Sequence, residues 1–237
     1  MERKDPIADL MQVSIESNLD FGAAAGNGFQ YTLTFEPVLP VKLSNAWYLI
    51  TRPNFSVVSA PESASGQSRT TGCSDLVTQF YFSPQASTPV IWGIGPVVGV
   101  PTGSDPLLGT GKWTLGPGVA IIKQTEHWTL GAIVNHVWSF AGDRNRSDVS
   151  LTLLEPEIAY SWGNGWEVGL DVESTYDSNA ARGDRWLVPV EMSIGKVVNF
   201  GRRPVSLSVG VLPYALAPAG SPSVGLSFTI APLFPKE

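Results

Sequence analysis

Cysteine is almost missing from this chain, with Cys73 the only one in 237 residues. A single thiol excludes an intramolecular disulfide and any cysteine-based metal site, and Cys73 beside a loop reads as a bystander rather than a nucleophile. Histidine is scarce too, and neither His127 nor His136 shares a strand face with a second ligand at metal spacing, so no metal is expected. Charged residues make up only 15%, with 15 Lys and Arg against 21 Asp and Glu. No basic cluster exists to neutralise phosphates, which excludes a nucleic-acid surface. No run of about 18 apolar residues occurs, so a transmembrane helix is excluded. The opening MERKDPIADL carries charge but no apolar stretch, so it does not read as a signal peptide, and export would need a leader outside this chain.

What the chain does have is alternation. Between Trp166 and Tyr176 the even positions read Trp166, Val168, Leu170, Val172, Ser174 and Tyr176, against Glu167, Gly169, Asp171, Glu173 and Thr175. A period of two is the mark of a β-strand, whose successive side chains point to opposite faces. The same parity sets Tyr31, Leu33, Phe35, Leu39 and Val41 against Gln30, Thr32, Thr34 and Glu36. Val205, Leu207, Val209 and Val211 stand against Ser206, Ser208 and Gly210, and Val224, Leu226, Phe228, Ile230 and Phe234 against Ser223, Gly225, Ser227 and Thr229. The apolar faces are bulky and the polar ones small or acidic.

Twelve strands are predicted, at 10–21, 29–43, 47–60, 73–85, 88–102, 112–125, 127–141, 149–163, 166–177, 185–200, 203–217 and 222–234. Their connections alternate in length. Short links fall at 44–46, 86–88, 125–127, 163–165 and 201–203, and longer ones at 22–28, 61–72, 103–111, 142–148 and 178–184. Tight turns alternating with long loops, on an even number of strands long enough to cross a bilayer, predict an all-β fold: a single antiparallel transmembrane β-barrel spanning 1–237. The short turns and residues 1–9 are expected in the periplasm and the long loops outside the cell.

A soluble ligand-binding β-barrel would show the same alternation with the sense reversed. Tryptophan separates the two. Trp47, Trp128, Trp162 and Trp166 cluster near short turns, and Trp113, Trp138 and Trp186 near long loops, the placement of two aromatic girdles at membrane interfaces. His136 is the one residue with an arguable enzymatic role, since parity puts it on the lipid side, where a lipid hydrolase would need it beside a Ser nucleophile and an orienting Asn or Asp. Ser139 and Asn135 fall on the opposite face, so an interfacial histidine is the simpler reading. The segment GTGKW lacks a phosphate loop's first Gly, with Pro106 in its place, and has Trp113 where Ser or Thr would bind magnesium. No catalytic residue and no cofactor are expected.

With the apolar face turned outward, the expected lumen-lining acids are Glu16, Asp20, Glu36, Asp75, Glu155, Glu157, Glu167, Asp171, Glu173 and Glu191. The expected inward bases are Arg52, Lys112 and Arg185. An acidic lumen favours cations. The reading is a channel or transporter for small solutes, cationic or aromatic, seated in outer-membrane lipid.

The segments WGIGPVVGVPT (92–102), LGTGKWTLGPG (108–118), GAIVNHVWSFAGD (131–143), GDRWLVPV (183–190) and LFPK (233–236) resemble a family of bacterial outer-membrane proteins labelled MetA-pathway of phenol degradation, whose members are often called transporters. The resemblance runs from about Asp5 to the C-terminus and implies a Gram-negative outer-membrane barrel. It carries no catalytic or substrate-binding motif onto this chain. Family members tend to have neutral residues where this chain has Glu155 and Glu157.

Overall fold

Period-two stretches bounded by Gly, Asn and Ser turns give twelve strands in the computed structural model, which describes residues 11–23, 28–61, 68–85, 90–201 and 203–234. The strands are β1 (Gln12–Ala23), β2 (Gly28–Lys42), β3 (Trp47–Ala60), β4 in two pieces (Thr70–Cys73 and Leu76–Pro84), β5 (Val90–Val100) and β6 (Lys112–Gln124). They continue as β7 (Trp128–Gly142), β8 (Ser150–Trp162), β9 in two pieces (Trp166–Asp171 and Ser174–Asp177), β10 in two pieces (Trp186–Pro189 and Glu191–Phe200), β11 (Arg203–Leu216) and β12 (Val224–Pro232). Each pairs antiparallel with its chain neighbours, and β1 pairs with β12 through Ile15 opposite Ile230, which closes an antiparallel twelve-stranded β-barrel. Residues 1–9 and the link 86–88 lie outside the described residues. Thr70–Cys73 belongs to β4 rather than to the expected loop 61–72, because those residues pair with Val57–Ala60.

The breaks in β9 and β10 share a cause. Pro156 on β8, Pro189 on β10 and Pro213 on β11 sit level with Val172, Glu173 and Val190, and a proline gives the ladder no N–H. Val172 N–H reaches Pro156 O and Val190 N–H reaches Pro213 O, but the regular pattern lapses there. At the opposite extreme the turn 163–165 is tight, with Asn164 (φ 65°) and Gly165 (φ 77°) in the left-handed region that reverses the chain between Trp162 and Trp166.

Register carries one parity all the way round. The residues that face outward include Phe35, Leu130, Leu170, Val209 and Leu226, each 40–53% exposed. A soluble barrel would bury that face, so this one presents it to hydrocarbon. All eight tryptophans are among the exposed residues. Trp128, Tyr160, Trp162 and Trp166 form a ring-to-ring row at the short-turn end, with Lys196 over Trp166, and Trp186 meets Tyr176 at the other end. The buried apolar core sits inside the barrel: Tyr48, Ile50, Tyr81 and Ile91, with Val38, Ala120, Ile122 and Ile133 packed against them.

Candidate functional site in the barrel interior

Strand register brings Glu16, Asp20, Glu36, Arg52, Glu155, Glu157, Glu167, Asp171, Glu173 and Glu191 onto the inward face. Asp171 lies directly opposite Glu157 on β8 and Glu191 on β10, three carboxyls in one cross-strand row. Like charges so placed destabilise a sheet. Six of the nine acids have a polar partner. Asn18 Nδ2 donates to Glu16 (2.6 Å), Tyr214 Oη to Asp20 (3.0 Å), Ser161 Oγ to Glu167 (2.6 Å) and Ser227 Oγ to Glu191 (2.5 Å). Glu36 and Glu155 share Arg52, whose Nη2 lies 2.8 Å from one and 3.2 Å from the other. Glu157, Asp171 and Glu173 have neither a hydrogen bond nor an ion pair among the described residues, and Glu157 and Glu173 stay open to the lumen.

The Arg52 bridge is the central geometric fact. Arg52 is on β3 and Glu155 on β8, far apart around the wall, so their contact crosses the lumen. Toward the short turns it roofs a chamber of about 490 Å³. One wall of that chamber is apolar, from Val38, Ile50, Tyr81, Ile91, Ile122 and Ile133, and the other carries Glu155, Glu157 and Glu167. Tyr81 is fixed by donating its hydroxyl to Asn135 Oδ1 across to β7 (2.8 Å). Gly118 makes room for that contact, since a Cβ there would run into Tyr81 and Asn135.

Three expected lining residues lie at the long-loop rim instead. Both carboxylate oxygens of Asp75 are taken by the loop after β5, from Gly103 N–H, Thr110 N–H and Thr110 Oγ1 (2.7–2.9 Å). Arg146 clamps the same loop by donating to the carbonyls of Pro106, Gly109 and Thr110. Arg185 donates to Ala180 O and to the hydroxyl of Tyr176, so its inward parity is cancelled by its reach. Lys112 is buried at the rim and pairs with the exposed Asp148 at 3.0 Å, whose carboxyl is held below the usual carboxylate range by the Lys112 hydrogen bond and charge. Of the expected bases, Arg52 alone remains inside. The apolar chamber wall went unforeseen; its signal was the near-continuous apolar run of β5 and β6, which lack polar alternation.

His136 faces outward, bonded through Nδ1 to Thr152 Oγ1 (2.7 Å) and packed on Trp138. Asn135 is committed to Tyr81 inside the barrel, and Ser139 Oγ donates to Asp148 at the rim. Among the described residues no triad assembles around the imidazole, so a hydrolase is not supported.

No family model and no curated protein matches the chain. Solved structures do. The chain is similar to an outer-membrane channel from Pseudomonas putida F1, with TM-score 0.67 and 17% identity over 94% of both chains. It is similar to the NanC porin, with TM-score 0.59 and 11% identity over 94% of this chain and 98% of that one. The KdgM porin follows at TM-score 0.50 and 10% identity, over 94% and 99%. At these identities the likeness is one of fold: a β-barrel of the outer-membrane channel and porin kind.

Proposed function

We propose that the chain is a passive outer-membrane channel for small solutes, with a lumen that favours cations, and that it works without covalent chemistry. The observation that carries this is the inward row Glu157, Asp171 and Glu191 with Glu173 beside it, set against Arg52 as the one base inside the described barrel. A sheet that keeps facing carboxyls gives up stability for them, which is expected where they serve a function. In a confined lumen these charges attract cations more strongly than surface carboxylates do, although salt screens them over about 8–10 Å. The P. putida channel and the porins support the channel reading through shared fold, and the five resembling segments support an outer-membrane setting.

The test is reversal-potential measurement in planar bilayers under a KCl gradient. Wild type is expected to prefer K⁺ over Cl⁻, most clearly at low salt. Joint replacement of Glu157→Gln, Asp171→Asn and Glu173→Gln removes the three acids that lack a partner and is expected to reduce that preference. A wild type that conducts without preference, or a triple variant that keeps it, overturns the selectivity; a refolded barrel that passes no current overturns the channel.

A further inference from the structure

The chamber beneath the Arg52 bridge has two chemically opposed walls, and we infer that it is a binding site for an organic cation with an apolar body, of the benzylammonium or alkylammonium class. This rests on the channel reading and names the solute that the channel would favour. A chamber of about 490 Å³ falls within the size range of small-molecule pockets. The volume is too large, and its Ile50, Ile122 and Ile133 surface too apolar, for a bare inorganic ion to use well. Burial of an apolar group against that surface is favourable.

Charge decides the sign. Arg52 holds Glu36 and Glu155 through the same Nη2, so its single positive charge already faces two carboxylates. Glu157 faces the chamber with no partner among the described residues, and Glu167 is held by a single serine hydroxyl, so the free charge here is negative. A neutral aromatic would gain the apolar wall and leave Glu157 uncompensated. An organic cation satisfies both walls at once.

The experiment is titration calorimetry on the full-length barrel refolded in detergent micelles, with three probes: benzyltrimethylammonium, tetramethylammonium and benzyl alcohol. The first carries both features, the second only the charge and the third only the ring. Benzyltrimethylammonium is expected to bind at least about tenfold tighter than either control. The double variant Glu157→Gln with Glu167→Gln is expected to weaken benzyltrimethylammonium while leaving benzyl alcohol unchanged. Ile133→Asn is expected to weaken benzyltrimethylammonium and leave tetramethylammonium unchanged, with heat-modifiable gel migration verifying that each variant folds. Absence of binding, equal affinity for all three probes, or insensitivity to both variants overturns the site. A barrel that conducts K⁺ selectively yet binds no organic cation overturns this inference alone, and one that binds the cation but passes no current overturns the channel reading alone.

Discussion

Replacing Arg52 with Gln probes the bridge directly. At an effective dielectric near 20, contacts of 2.8 and 3.2 Å are worth about 6 and about 5 kcal/mol of gross attraction. Desolvating the three ions consumes most of that, and removal of one member of such a group typically costs about 3–5 kcal/mol, because the remaining charges are left unpaired. The side chains keep 15–24% of their surface accessible to lumen water, so the lower end is expected. The assay is urea unfolding in lipid vesicles followed by the lipid-facing tryptophans. Replacing all three members, Arg52→Gln, Glu36→Gln and Glu155→Gln, should restore at least half of the loss, since no charge is then orphaned. Conductance should rise in both variants, because no side chain then joins β3 to β8 across the lumen. If Arg52→Gln unfolds within about 0.5 kcal/mol of wild type, or the triple variant is no steadier than the single one, the bridge is incidental.

Leu170→Arg places a charge in hydrocarbon and should cost about 2–4 kcal/mol near the midplane, whereas Glu173→Gln, on the inward face and without a partner, should match or exceed wild type; equal bilayer insertion by the Arg variant would mean that the outward face is misassigned. On intact cells, trypsin should cut at the exposed loop residues Arg144 and Arg182 and spare Lys42 and Lys123 at the short-turn end; external cleavage at either lysine would invert the topology. Asp148, with its carboxyl lowered in the folded state by Lys112, contributes stability that is present above the unfolded carboxylate pKa of about 4 and is lost as pH falls through the folded value. The melting curves of wild type and Asp148→Asn should therefore run a small constant distance apart from pH 7 to 5 and converge below about pH 4, and a gap that widens on acidification would contradict the pairing.

Strand parity was readable because lipid and lumen impose opposite chemistries on alternate residues, and the stretch 166–176 shows both faces without a gap. Parity says which way a side chain starts out but not how far along the barrel it sits or where it ends. Asp75, Lys112 and Arg185 all start inward, yet their polar ends are claimed by rim loops whose folding no periodicity encodes. The mixed interior was hidden for a different reason. Through the middle of β5 and β6 the inward positions are Ile91, Val97, Ala120, Ile122 and several glycines, so there both faces are apolar or bare and the two-faced signal vanishes where the barrel fills itself. The Arg52 bridge lies beyond any local pattern, because it joins residues 103 positions apart across open space.

The seam between β1 and β12 bears on how such a chain can be assembled. Every other pairing joins strands adjacent in the chain, so hairpins can form as the chain becomes available, but the seam needs both ends. Until it zips, the edges of β1 and β12 would expose amide groups to hydrocarbon, each costing several kcal/mol, so insertion and closure must proceed together. Strand count adds a second constraint. Consecutive strands alternate in direction, so β1 and β11 run the same way, and a chain deprived of β12 could close only through a parallel seam. Deleting the last strand should therefore abolish the barrel rather than yield an eleven-stranded one.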